Sequence, residues 1–378
     1  MAIGMQDMEV KENIFDVVYE PLAGSSLTNL LRLLAQNKFK VSARYMPRFL
    51  YAVMLSGVIS PFRIVERIKF DGKIRKTAID HPPVFILGHW RSGTTYLHNL
   101  LSLDKNFGYC TTFHSVIPGA FMTGEKTLKS IVSSSIPETR PMDNVPMGAD
   151  LPQEEEYATG AFTPYAYYNG WCFPRNMGLY NKYICMDDVP QAAVREWKDT
   201  YGYLLKKLTF FWGGKRLVLK NPSNTGRIKL LLDMFPDARF IHIYRNPYTL
   251  FPSMVKFMVK VLPRYCVQKP IKREEMEKVI LDVYSMLYKK YLEEKNLIPD
   301  GNLVEVRYED LIAHPLDELE RIYGVLNLTG FGENKSTFRE NIAAQSGIKT
   351  SKYKLDEKTK EMIYENWKFA FDAFGYEP

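Results

Sequence analysis

The chain predicts an α/β fold, a three-layer sandwich in which helices flank a central parallel sheet. Three observations carry that prediction. Val84–Leu87 and Leu217–Leu219 are unbroken apolar runs of strand length, the pattern of strands buried on both faces of a parallel sheet. The first runs into a loop bounded by Gly88 and Gly93, and then into a helical repeat of Tyr96, Leu97, Leu100 and Leu101. The second opens "KRLVLKNPSNTGRIKLLLDMFPDARFIHIYRNPYTLFPSM", residues 215–254, a strand–helix–strand unit whose strands must lie parallel.

Residues 1–80 read as a mainly helical extension on an α/β domain of residues 81–378. Within the extension, "FLYAVMLSGVISPF", residues 49–62, is expected to be a buried helix. It is too short for a bilayer, which takes roughly 20 apolar residues, and Arg48 and Arg63 flank it. Skimming a membrane interface is the alternative. The first residues carry Asp and Glu where a secretory signal would be basic, and no apolar region follows closely, so no leader is expected.

Between the first strand and its helix lie Gly88, His89, Trp90, Arg91, Ser92, Gly93, Thr94 and Thr95. Glycines at the two ends permit a tight turn, and the first-turn N–H groups with the helix dipole favour an anion. Against the nucleotide-binding pattern G-x-x-x-x-G-K-[ST], both glycines and Thr95 match, but Thr94 stands where lysine belongs. The loop is P-loop-like with Arg91 as its cation, and a guanidinium can grip two oxygens of a phosphate or sulfate without a metal. Arg91, Ser92, Gly93, Thr94 and Thr95 are therefore candidate anion-binding residues; the alternative is an ordinary glycine turn with a solvated arginine.

In the 215–254 unit, Lys220 and Asn221 end one strand and Arg245 and Asn246 end the next. Open parallel sheets bind ligands at that edge. Asn246 suits a helix cap and Pro247 the first helical position, while Pro252 is expected to interrupt the helix. Arg245 and Ser253 form a candidate second anion site. Lys220 follows three apolar residues, which favours a place in the site over a surface lysine.

Residues 115–184 are expected to bind the acceptor or cover it. Their first half, through Asp150, is rich in Ser, Pro, Met and Gly with little periodicity. The second half carries Tyr157, Phe162, Tyr165, Tyr167, Tyr168, Trp171, Phe173, Tyr180 and Tyr183. These rings are either core or the lining of an apolar cavity with polar handles, which would match a lipophilic alcohol better than a sugar chain.

The charge balance of 50 Lys and Arg against 43 Asp and Glu gives +7, mild for this size. It suits a small polyanion and does not call for nucleic acid, since no basic repeat or zinc spacing occurs. Cys110, Cys172, Cys185 and Cys266 are scattered without a metal or disulfide pattern, as expected in a reducing cytoplasm. Nothing in the sequence sets an oligomeric state.

The two anion segments resemble those of sulfotransferases that use 3'-phosphoadenosine 5'-phosphosulfate (PAPS) and release the bisphosphate PAP. "GHWRSGTTYL" is similar to the family's 5'-phosphosulfate loop, and "FIHIYRNPYTLFPSM" to its 3'-phosphate segment, with the spacing from Arg245 to Ser253 that the family uses. "VRYEDLIAHPLDELERIYGVLNL" and the closing "KYKLDEKTKEMIYENWKFAFDAFGYEP" also resemble family segments, so the likeness covers most of the chain after about residue 80. It implies metal-independent in-line transfer of a sulfuryl group to a hydroxyl, with Arg91 neutralising the departing phosphate. "LKNP" resembles the K-x-P element of the tyrosylprotein sulfotransferases, which makes Lys220 the lysine aimed at the bridging oxygen. A likeness to gut-bacterial steroid sulfotransferases implies a sterol or similar acceptor; a carbohydrate or phenol acceptor is the alternative.

A base must take the proton of the acceptor hydroxyl. "DLPQEEEYA" resembles the bacterial PQEDE element, so Glu154, Glu155 and Glu156 are candidates, one of them poised if their charges are held close. His114 is the other candidate, since an imidazole titrates near neutrality. The chain lacks the Lys-Thr-His element of the cytosolic mammalian branch, and Asn224, near where bacterial relatives carry His, cannot act as a base. In "SGIKTSKYKL", the resemblance makes Lys352 and Tyr353 candidates for closing over adenine and the 3'-phosphate, with a solvated lysine run as the alternative. Two other classes share the strand, loop and helix: a P-loop small-molecule kinase with Mg²⁺ on Thr95, which should show an acidic strand end where this chain has Arg245, and a non-catalytic nucleotide-binding protein.

Overall fold

The computed structural model describes residues 20–140, 145–345 and 353–378. Five strands, β1 (Val84–Leu87), β2 (Phe107–Gly108), β3 (Arg216–Lys220), β4 (Arg239–Tyr244) and β5 (Leu303–Arg307), form one parallel sheet in the order β2-β3-β1-β4-β5. Successive side chains of a strand point to opposite faces, and the two faces fill two cores. Phe85, Leu87, Leu217, Leu219 and Phe240 pack into the larger. Val84, Ile86, Val218, Ile241 and Ile243 pack into the smaller, against Leu97, Leu100 and Leu101. This double burial is why the strands read as continuous apolar runs rather than alternating ones.

Nine helices matter for the site: α1 (Leu27–Gln36), α2 (Met46–Lys76), α3 (Thr94–Leu101), α4 (Thr112–Val116), α5 (Glu155–Phe162), α6 (Gln191–Phe211), α7 (Pro247–Tyr265), α8 (Arg273–Glu294) and α9 (Glu357–Phe374). Asn246 caps α7 by accepting the Tyr248 N–H at 2.9 Å, with Pro247 in the first turn. The expected break at Pro252 does not occur; α7 runs through it to Tyr265. A helical proline costs about 3 kcal/mol, but Leu250, Phe251, Met254 and Val255 are all buried around it, and that packing outweighs one lost backbone bond.

The apolar run at residues 49–62 likewise extends further than its sequence suggests. α2 continues through Pro61 to Lys76, and the stretch Ala43–Lys76 is long and apolar enough, by length and composition, to cross a bilayer. Pro61 is exposed and lies one turn beyond Gly57, whose side-chain direction is open space. The helix is also only partly buried, with polar anchors on its inner side. Arg48 donates to the carbonyls of Pro263 and Cys266 at 2.8 and 2.9 Å, and Glu66 pairs with Lys207 of α6.

Candidate active site

Three neighbouring strands deliver the polar groups to one edge. β1 ends in the Gly88–Gly93 loop, β3 in Lys220 and β4 just before Arg245, and β1 lies between the other two. The chain passes to one side of β1 for β2 and β3 and then crosses to the other for β4, which opens a crevice at the strand ends.

The loop needs backbone that glycine adopts freely: Gly88 has φ 139° and Gly93 φ 104°. A Cβ at Gly93 would strike the Tyr308 ring. Arg91 sits in the left-handed region at φ 72°, a cost of about 1–2 kcal/mol for a residue with a Cβ. Arg245 helps hold it by donating Nη1–H to the Arg91 carbonyl at 3.0 Å. Thr225 accepts the Gly88 N–H at 2.7 Å. Ser92 is buried and donates its hydroxyl to the His89 carbonyl at 2.7 Å, so its side chain braces the loop. Gly93 gives α3 no side-chain cap, which leaves the first-turn N–H groups of α3 for an anion.

The two expected anion sites meet in one cluster. Arg91 donates Nε–H to Ser253 Oγ at 3.1 Å, across from α7. Arg245 lies 4.3 Å over the Tyr308 ring and donates Nε–H to Thr249 at 3.1 Å. Burial pushes the Arg245 guanidinium below its usual value, and Arg91 adds to that, a charge penalty that a bound anion relieves. Tyr353 is half-buried within electrostatic range of Arg245. Lys352 lies outside the described residues.

A cavity of about 670 Å³, open mouth included, adjoins this cluster and is lined by Trp90, Arg91, Thr94, Thr95, Glu154 and Phe257 among others. Lys220 donates to Thr95 Oγ1 at 3.3 Å and forms an ion pair with Glu154. Tyr168 donates its hydroxyl to the same carboxylate and accepts the Trp90 indole N–H at 2.6 Å. Burial lowers the Lys220 ammonium from its usual value against the pull of Glu154.

The three consecutive carboxylates take three different surroundings. Glu154 precedes α5 and lines the cavity. Glu155 is fully buried, accepts from Tyr201 at 2.8 Å and Asn224 at 3.2 Å, and is pushed up to about 7 by burial. Glu156 is clamped by Arg227 at 2.8 and 3.0 Å and by Asn221 at 2.6 Å. Burial would raise Glu156, but Arg227 outweighs it and holds the carboxyl below its usual range. Of the three candidate bases only Glu154 lines the cavity; Glu155 and Glu156 are held in buried polar networks.

His114, the other candidate base, lines neither cavity. It is buried in the capping box of α4, accepts the Thr111 N–H at 3.3 Å, and packs 4.3 and 4.5 Å from the Phe121 and Phe211 rings. Burial, then Lys207, pushes its imidazole down to about 3. Most of the aromatic run is core: Tyr167, Tyr168, Trp171, Phe173, Tyr180 and Tyr183 are buried. Tyr157 alone of the nine rings lines the cavity, and it lines a second one of about 620 Å³ as well. Met147, Gln153, Tyr157 and Tyr265 wall both.

The sequence reading names Tyr168 only as one ring of the aromatic run, and it missed Arg227, Arg140 and Arg264. Arg227, one helical turn beyond the strand-end Lys220–Asn221 pair, was legible as a possible partner for the acidic run; Arg140 and Arg264, which line the first cavity, carried no local signal.

Residues 82–333 match the sulfotransferase family. The chain is 32% identical over 360 residues to the omega-hydroxy-beta-dihydromenaquinone-9 sulfotransferases Stf3 of Mycobacterium bovis and Mycobacterium tuberculosis, covering 94% of this chain and 90% of theirs. Among solved structures it is similar to sulfotransferase STF1 of Mycobacterium tuberculosis (TM-score 0.65, 19% identity, 93% of this chain and 92% of that one). It is similar also to STF9 of Mycobacterium avium (TM-score 0.64, 17% identity, 93% and 97%). On the family match and the mycobacterial relatives together, with the fold they share, the chain belongs to the sulfotransferase family.

Proposed function

We propose that this sulfotransferase takes its sulfuryl group from PAPS and places it on the hydroxyl of a lipophilic, lipid-like alcohol, leaving PAP. The observation that carries the proposal is the Lys220–Glu154 pair, seated beside Thr95 at the wall of the cavity that adjoins the anion-binding loop. The residues fit a donor with two anionic ends. The uncapped first turn of α3 and Arg91 suit one end, and Arg245 with Ser253 suits the other. PAPS, when bound, supplies an activated sulfuryl group on a phosphate leaving group.

The chain's own groups then have distinct work. Arg91 and the loop amides stabilise negative charge at the loop. An anion there competes with Glu154 for Lys220, which frees the Glu154 carboxylate to face the acceptor hydroxyl. Tyr168 keeps the Glu154 carboxylate oriented while it draws the proton from the acceptor hydroxyl. The acceptor class is supported by the apolar side chains that share the cavity walls with polar ones, among them Met147, Phe257 and Val261 in the first and Val116 and Ile136 in the second, and by the lipid named for the mycobacterial relatives. A sterol belongs to the same class.

Calorimetric titration with PAP in EDTA, beside ATP with magnesium, tests the donor. Tight metal-independent binding of PAP, weakened in Arg91→Ala and Arg245→Ala, is the expected result. Preference for ATP with magnesium would replace the proposal with a kinase. Labelled PAPS offered with hydroxylated isoprenoid quinones, sterols, phenols and sugars then tests the acceptor, with transfer to the first two expected.

A further inference from the structure

We infer that α2 is a docking helix that lies on the surface of an anionic lipid bilayer. The surface stands on its own geometry; only its purpose, access to a lipid acceptor, rests on the function proposed above.

α2 carries two apolar faces. One is buried and includes Phe49, Ala52, Ile59 and Ile74. The other presents Leu50, Met54, Val58, Ile64, Val65 and Ile68, which are 41–80% exposed. On a helical wheel these six fall within one arc of about 120°, on the side away from Ala52, Ser56 and Ile59. From Leu50 to Ile68 the stripe is about 27 Å long. No described residue covers it. An exposed apolar stripe of this length on a folded protein marks a surface that something else covers.

Charge selects the occupant. Lys38 and Lys40 are exposed before the stripe, and Arg67, Lys69, Lys73 and Lys76 are exposed at its far end. Residues 38–76 hold ten Lys and Arg against two Asp and Glu, and both acids are engaged internally, Glu66 with Lys207 and Asp71 with Arg75 at 2.8 Å. An apolar stripe with basic ends matches acyl chains bordered by anionic headgroups.

The helix lies on the bilayer and does not span it. Its inner face is tied to the protein by buried polar groups that spanning would expose to hydrocarbon at high cost. Besides the Arg48 and Glu66 anchors, Arg63 donates to the carbonyls of Gly24 and Ser25 at 3.0 and 2.9 Å. Arg48 also lies 3.9 Å from Glu20, a wall residue of the second cavity. Docking through α2 would therefore hold that cavity beside the lipid.

Flotation of the full chain with vesicles, without PAPS or acceptor, tests the inference. With phosphatidylcholine containing about a third phosphatidylglycerol, the protein should float, about tenfold better than with phosphatidylcholine alone. Raised salt should weaken the binding. Leu50→Ser, Met54→Ser and Val58→Ser together should lower it at least about tenfold, and Lys69→Glu with Lys73→Glu, exposed changes that leave the inner face intact, should lower it on anionic vesicles. Thermal melting and PAP affinity should match the parent in both variants. Absence of flotation, or flotation that neither variant alters, would overturn the inference. So would a dimer in sedimentation that the triple variant dissociates, since a second copy would then be the occupant. Flotation with no PAP binding by the same preparation would sink the donor assignment and leave the docking surface standing.

Discussion

Breaking the Lys220–Glu154 pair is the sharpest perturbation that the geometry offers. The side chains are 2% and 12% exposed, so each charge depends on the other. Removing one partner of a buried ion pair costs about 3–5 kcal/mol, because the remaining charge stays desolvated. Lys220→Met leaves Glu154 with the Tyr168 hydroxyl and the cavity water, which places its cost near the lower end, about 3 kcal/mol. Glu154→Gln leaves the more deeply buried Lys220 with neutral acceptors, the new amide oxygen and the Thr95 hydroxyl at 3.3 Å, and no paired charge, which places its cost toward the upper end. The double variant buries no orphaned charge, so the two losses should fall short of additivity by about 2 kcal/mol or more. Urea unfolding of the four proteins at neutral pH measures this, provided the denaturant slope is the same for all. Turnover behaves differently: Glu154→Gln should lower kcat by about 10²–10⁴ if the carboxylate is the base, and the double variant should not regain it. A coupling below about 0.5 kcal/mol would refute the pairing, and a kcat within tenfold of the parent would refute the role given to Glu154.

Arg91→Ala and Arg245→Ala should each weaken PAP about 10–100-fold in calorimetry, the worth of one charged hydrogen-bonding group; unchanged affinity would remove that residue from the anion site. Burial holds the Glu155 carboxyl at about 7, so the folded chain keeps a proton there that the unfolded chain, at the ordinary value near 4.5, has lost. Stability from this group therefore falls as pH rises from about 4.5 to 7 and levels off above. Glu155→Gln removes that dependence, and its Tm relative to the parent should climb through that window; a constant difference would contradict the assignment. Arg227→Met strands Glu156 at zero exposure and should cost about 3–5 kcal/mol in urea unfolding, with Glu156→Gln added on top restoring part of the loss. A cost under about 1 kcal/mol would mean that Glu156 is neutral in the parent.

Much of the fold was legible because its signals are local. A strand buried on both faces has to be apolar without interruption, and Val84–Leu87 says so directly. The tight turn needs glycine at residues 88 and 93, and both have positive φ. Pro252 misled because propensity is a local property while α7 is held from outside by its packing. α2 misled in the same way: its length could not be read past Pro61, and its two apolar faces look alike in sequence although one is buried and the other bare.

The candidate site divides along the same line. Sequence alone determined which residues stand at the strand ends: the loop from Gly88 to Thr95, Lys220 and Arg245. Chain connectivity places those residues one after another at the ends of parallel strands, whatever the rest of the molecule does. Tertiary structure decided what each carboxylate meets. Glu154, Glu155 and Glu156 are adjacent and chemically identical, yet one meets Lys220 at a cavity, one meets Tyr201 and Asn224, and one meets Arg227. All of those partners lie more than forty residues away in the chain. A carboxyl takes its protonation and reactivity from the charges and the solvent around it, and only the folded chain sets those.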